Sequence, residues 1–181
     1  MKPSRSFPPA HPSTKAALTI LQRLEIKKDA RILDIGCGAG ILGLAAALKT
    51  KGTALGCDIW MEAIRASKQN SALNQMEERS IFFHGSVDAV SGKFNLILAN
   101  LQAPTHMEMF DHYHRLLPQK GDLLVVSGFD DAHAAFMEKE LIKRGFTVVE
   151  QVKVYGTTAA LVPESSYIWV GFGLKRISGD Q

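Results

Sequence analysis

Apolar positions along this chain switch between two periods. In "STKAALTILQRLE", Ala17, Ile20, Leu21 and Leu24 recur at three- and four-residue intervals. That spacing predicts a helix, with Ser13 or Thr14 as its start signal. "RILDIG" then reads as a short strand, apolar on both faces. "AGILGLAAALKTKG" reads as a helix stopped by Gly52. "TALGCDI", "IFFHGS", "FNLILAN" and "DLLVVSG" continue the strands. "WMEAIRASKQNSALNQM", "MFDHYHRLLPQKG" and "DAHAAFMEKELIKRG" continue the helices. "FTVVEQVKVYG" and "SYIWVGFGLKR" close the chain as two strands with no helix between them. Near-continuous apolar strands alternating with helices predict a parallel sheet covered on both faces, an α/β doubly wound architecture. A short connection cannot join parallel neighbours, so at least one closing strand is expected to be antiparallel.

Composition narrows this only a little. The 181 residues suit one domain, and no internal repeat is visible. Residues 1–13 are proline-rich and polar and read as an irregular arm, with residues 14–181 as the domain. The net charge of +3 permits a nucleic-acid partner without favouring one. No apolar run is long enough to span a membrane, and "MKPSRSFPPAHPSTK" has no signal-peptide apolar region, so a cytoplasmic location is expected. Cys37 and Cys57 lack zinc-type spacing and read as small reduced residues; no metal site is expected.

The chemistry concentrates in "ILDIGCGAGILGLAAAL". A glycine-rich turn after the first strand lets a ligand approach the backbone, and dinucleotide sites use such a turn for a pyrophosphate. Here Gly36 and Gly38 fit the first two places of that fingerprint, but its third falls on Ile41; the third glycine is Gly40. Asp34, two residues before the loop, would repel a pyrophosphate. It suits a cationic ligand such as S-adenosylmethionine, which carries a sulfonium and an ammonium and no phosphate. Asp58 ends the second strand about 20 residues on, where an acid accepts the hydroxyls of an adenosine ribose. A nicotinamide cofactor shares that last feature but fits the glycine spacing poorly.

These residues resemble the class I S-adenosylmethionine-dependent methyltransferases. "ILDIGCGAG" looks like their Asp/Glu-x-Gly-x-Gly-x-Gly motif, "GCDI" like their second acidic strand end, and "FNLILAN" like their fourth-strand motif. The resemblance implies a Rossmann-like seven-stranded sheet with an antiparallel strand near the C-terminus. "FPPAHPSTKAALTILQRLE" is similar to the opening of the catalytic domain in the lysine methyltransferases acting on the eleventh large-subunit ribosomal protein. Phe7, His11, Ser13 and Thr14 fall in comparable places, and "ILANLQA" matches that family at Asn100. Pro8, Pro9 and Ala10 replace its Gly-Thr-Gly element. Its separate N-terminal substrate-recognition domain has no counterpart expected here.

The resemblance implies roles residue by residue. Asp34 orients the loop and favours the cofactor's ammonium end; capping of loop amides is its alternative role. Gly36, Cys37 and Gly38 pass beneath the methionine part. Asp58 takes the ribose hydroxyls, and Ile59 and Trp60 pack on the adenine. Ser86 stands where an acid usually meets the adenine amine, with Asp88 or a backbone contact at Val87 as substitutes. Asn100 sits where the transferable methyl points, as a cofactor or substrate contact. "NLQAP" lacks the Asn/Asp-Pro-Pro-Tyr/Phe motif of adenine-N6 and glutamine methyltransferases. Thr14 and Phe7 are expected to close over the cofactor. His106 follows the Asn100 loop as a candidate base, and His112 and His114 read as surface histidines. The implied function is methyl transfer to a nucleophile, nitrogen favoured, on a protein side chain or small molecule, leaving S-adenosylhomocysteine. An RNA methyltransferase and a non-catalytic binding subunit completed by a partner remain as alternatives.

Overall fold

A computed structural model describes residues 11–156 and 167–177. Five helices and seven strands run in the order α1 (Pro12–Arg23), β1 (Arg31–Ile35), α2 (Ile41–Thr50), β2 (Thr53–Asp58), α3 (Met61–Leu73), β3 (Ser80–His84), β4 (Leu96–Asn100), α4 (Ala103–Leu116), β5 (Leu123–Asp130), α5 (Asp131–Lys143), β6 (Phe146–Gly156) and β7 (Tyr167–Arg176). A three-residue 3-10 turn, Val87–Ala89, lies between β3 and β4. The strands form one sheet in the order β3-β2-β1-β4-β5-β7-β6. β3, β2, β1, β4 and β5 pair in parallel, and β7 runs antiparallel to both β5 and β6. The expected seven-stranded, mostly parallel sheet is therefore present.

Side chains alternate across a strand, so each central strand feeds two cores. Leu96 and Leu98 of β4 join Leu123 and Val125 of β5 beneath α1, α2 and α3. Ile97 and Ala99 join Leu124 and Val126 on the opposite face, against Phe110, Tyr113 and Leu116 of α4 and Met137 and Leu141 of α5. Strands buried on both sides have no polar face to show, which is why they read as unbroken apolar runs.

Two helix starts differ from expectation. α1 begins at Pro12, and His11 is its N-cap, its ring nitrogen accepting from the Ser13 N–H. Proline suits the first turn because its missing N–H has no intrahelical partner to lose. The same physics starts α4 at Ala103, well before Met109, with Pro104 in its first turn. That early start turns the segment after Asn100 from a loop into a helix and buries His106.

Candidate functional site

The sheet order reverses between β1 and β4, whose following helices, α2 and α4, lie on opposite faces. A crevice opens there at the strands' carboxyl ends, the place where open α/β sheets bind ligands. Gly36, Gly38 and Gly40 all adopt left-handed backbone, with φ of 65, 52 and 77°. A Cβ on Gly36 would lie 2.5 Å from Leu101 Cδ2, and one on Gly40 2.9 Å from Phe82 Cζ. The loop is fastened to the end of β2, where the Cys37 N–H donates to Cys57 O at 3.0 Å.

Both predicted carboxylates are buried and face the crevice. Asp58 Oδ2 accepts from the Gly38 N–H and its Oδ1 from the Trp60 N–H, each at 2.9 Å. Each oxygen keeps a lone pair for a further donor. Asp34 Oδ2 accepts from the Gly43 N–H, in the first turn of α2, at 2.9 Å. Burial pushes the Asp34 carboxyl up to about 7; the Gly43 amide pulls it down, and the Asp58 carboxylate adds to the rise. Cys37 and Cys57 also line the crevice, and burial holds both thiols well above their ordinary range, so they stay protonated.

A carboxyl raised on folding binds a proton that the unfolded chain has already released. Stability therefore falls as pH rises from about 4 to about 7 and is flat above that. Asp34→Asn keeps an acceptor for the Gly43 amide and removes this titration. Urea midpoints should fall from about pH 5 to 7 in wild type relative to the variant. Parallel curves would show that Asp34 does not titrate in that window.

The remaining predicted residues gather around the same space. Ile59 and Trp60 are 65% and 62% exposed and form an apolar rim beyond Asp58. Ser86, Val87 and Asp88 form the wall after β3, with the Ser86 hydroxyl bonded to Asp88. Asn100 Nδ2 donates to Thr14 Oγ1 at 3.2 Å, joining the end of β4 to the first turn of α1. Phe7 lies outside the described residues.

The expectation for His106 needs correction. His106 is fully buried. Its Nε2 donates to Ser127 O at 2.9 Å, and its Nδ1 accepts from the Tyr113 hydroxyl at 2.8 Å. Burial drives its pKa down to about 4. With both nitrogens engaged inside the core, His106 is a structural tie and no base. His112 and His114 lie at the surface, each with a partner. Both are half-buried; His112 lies 3.3 Å from Asp88 and accepts from Arg115, and His114 meets Arg176 at 2.6 Å.

The crevice encloses about 750 Å³. Four carboxylates line it, Asp34, Asp58, Asp88 and Glu108, and no lysine or arginine among the described residues does. Sequence reasoning missed the wall made by Gln102, Thr105, Glu108 and Met109, because it began α4 too late. It singled out His11 only as a family match and missed Trp169; the two rings meet edge-on at 4.5 Å, and both line the crevice. No spacing rule links those two residues; only the pairing of β7 into the sheet does.

A sheet of this order, with its glycine loop and strand-end acids at the reversal point, is the class I methyltransferase fold. Comparison with known proteins narrows the class. The family model for ribosomal protein L11 methyltransferase matches residues 9–157, and the chain belongs to that family. A ribosomal protein L11 methyltransferase of Lactobacillus helveticus is 33% identical over 138 residues, and one of Clostridium botulinum 30% over 140 residues. These alignments cover 76% and 77% of this chain but 44% of each relative, so the chain spans less than half the length of those proteins. The crystal structure of a ribosomal protein L11 methylase from Lactobacillus delbrueckii subsp. bulgaricus superposes with a TM-score of 0.76 at 25% identity, covering 91% of this chain and 79% of that one. Among the described residues no helix is long and apolar enough to cross a membrane.

Proposed function

We propose that this chain binds S-adenosylmethionine in the crevice and transfers its methyl group to a nitrogen on a protein acceptor. The names of its relatives support ribosomal protein L11 as the acceptor to test first. The observation that carries the reading is the charge of the cavity: four carboxylates and no described cation around a glycine loop. Such a lining opposes a pyrophosphate or an RNA backbone and favours a sulfonium and an ammonium. This weighs against the nicotinamide and RNA alternatives together.

The residues present fit the cofactor. Asp58 has lone pairs for the ribose hydroxyls. Gly36 and Gly38 supply the left-handed backbone that the turn beneath the cofactor needs, which a side chain would strain. Asp34, whose carboxyl burial pushes up to about 7, gains from a cationic methionine end beside it, which favours its ionised form. When bound, S-adenosylmethionine supplies a methyl group already activated by its sulfonium. The protein's own work is then alignment and exclusion of water. The bond from Asn100 to Thr14 supports a role for Asn100 in orienting the acceptor or the methyl end. The acidic lining also draws an amine into the cavity as its cation. Loss of that proton to solvent or to a carboxylate must precede attack.

Calorimetric titration with S-adenosylmethionine, S-adenosylhomocysteine and NAD tests the reading. The first two should bind and NAD should not; binding of NAD alone would overturn it. With ribosomal protein L11 as acceptor, Asn100→Ala should lower turnover by about a hundredfold and change S-adenosylhomocysteine affinity less than about threefold. Equal turnover would remove Asn100 from the reaction.

A further inference from the structure

α4 does more than line the crevice. Its first half supplies Thr105, Glu108 and Met109 to the wall, and its last turn carries Arg115. Arg115 reaches back to the 3-10 turn after β3. One terminal nitrogen donates to Val90 O at 2.8 Å and the other to Val87 O at 3.0 Å. The same guanidinium donates to His112 Nδ1 from Nε at 3.1 Å and from a terminal nitrogen at 2.8 Å. An arginine can only donate, so His112 Nδ1 is the acceptor and its hydrogen sits on Nε2. Nε2 lies 3.3 Å from Asp88 Oδ1, and the other Asp88 oxygen accepts from the Ser86 hydroxyl. A chain of contacts thus runs from the end of α4 through His112 to Asp88 and Ser86, at the cavity's surface.

The segment held in this way needs holding. Three residues of 3-10 helix bring little stability of their own. Inside the turn, the Ala89 and Val90 amides reach only Ser86 O and Val87 O. The guanidinium spans both ends of the turn in one rigid fork, which a lysine could not do. The position of the turn relative to the cofactor is set by the sheet. His84 pairs with Asp58 in register, and the Gly85 N–H donates to Asp58 O at 2.9 Å. With the ribose at Asp58, residues 85–88 form the adjacent wall, against which the purine must lie.

We propose that Arg115 is a positioning residue for the cofactor's purine, fixing the Ser86–Asp88 wall to α4 so that this wall discriminates the base. The inference rests on the methyltransferase reading above. It also couples the two halves of the crevice, since the helix that holds the purine wall is the one whose other end faces the acceptor.

The test uses Arg115→Met and Arg115→Lys, titrated with S-adenosylhomocysteine and with S-inosylhomocysteine, in which an oxygen replaces the purine amine. Arg115→Met should weaken S-adenosylhomocysteine by about tenfold, the size of one lost charged hydrogen bond, and narrow its preference over the inosyl analogue. Arg115→Lys should fall between. In ligand-free protein, the Ala89 and Val90 amides should exchange faster in Arg115→Met. A purely structural arginine would lower the melting temperature and leave the adenosyl-to-inosyl ratio of the folded protein unchanged; that result, or unaltered amide exchange, overturns the proposal. If wild type binds neither nucleoside, the methyltransferase reading fails and the inference falls with it, a result visible before any variant is compared.

Discussion

Asp58→Ala is expected to weaken S-adenosylhomocysteine binding by at least about a hundredfold, the largest binding loss of any single substitution in the crevice. In the proposed site, two charge-assisted bonds to ribose hydroxyls would contribute about 1.5–3 kcal/mol each, and either one is worth a tenfold factor or more. The carboxylate also accepts from the Gly38 and Trp60 amides, so alanine releases both the glycine loop and the start of α3. A lower melting temperature should accompany the lost affinity. Asp58→Asn separates the two effects. Its single carboxamide oxygen can keep one amide, and its NH2 group opposes donors, so stability should recover further than affinity. Wild-type affinity in Asp58→Ala, measured by calorimetry on folded protein, would place the nucleoside elsewhere.

A large loss of stability is expected at Gly128. β5 carries a bulge between Ser127 and Phe129, and Gly128 sits in it with φ of 96°. A Cβ there would lie 2.4 Å from Leu101 O, 2.7 Å from Leu101 N and 2.8 Å from Asn100 Oδ1. Two of those atoms are backbone, so no rotamer change relieves the clash. The Leu101 N–H and the His106 ring both donate to Ser127 O and pin the bulge from two sides. Gly128→Ala therefore combines backbone strain with overpacking, together about 3 kcal/mol. Urea denaturation should show this as a lower midpoint at unchanged slope. The folded fraction should lose turnover more than S-adenosylhomocysteine affinity, because the displaced group is Asn100. An unchanged midpoint would mean that the bulge can straighten without cost.

Strands buried on both faces were legible because they are nearly continuous apolar runs; in "RILDI" and "LILAN" the polar exceptions inside or at the end of the run, Asp34 and Asn100, are the residues that line the crevice. The glycine loop and Asp58 were legible because left-handed backbone and a strand-end acid leave local marks. α4 was misread because Pro104 marks a helix start as readily as a loop. His106 and the Gln102–Met109 wall went astray with it. Gly128 carried no signal in sequence: a glycine in a strand is a bulge only when its neighbour's backbone arrives, and Leu101 arrives from another strand's end. Arg115 was invisible for a related reason. Its acceptors are carbonyl oxygens, which every residue has.

The placement of β7 bears on how the chain is made. It is the last strand to be synthesised of the seven, yet it lies between β5 and β6. Until Arg176 has emerged from the ribosome, β5 keeps a bare edge and β6 has no partner to pair with. The apolar face of α1, the first helix made, packs against residues that arrive last, since a Cβ on Gly171 or Gly173 would strike Ile20. A nascent chain stalled before Tyr167 thus presents an open strand edge beside an uncovered apolar helix, the combination that recruits chaperones or aggregates. Growth from the N-terminus cannot finish this sheet strand by strand; closure waits for one late insertion.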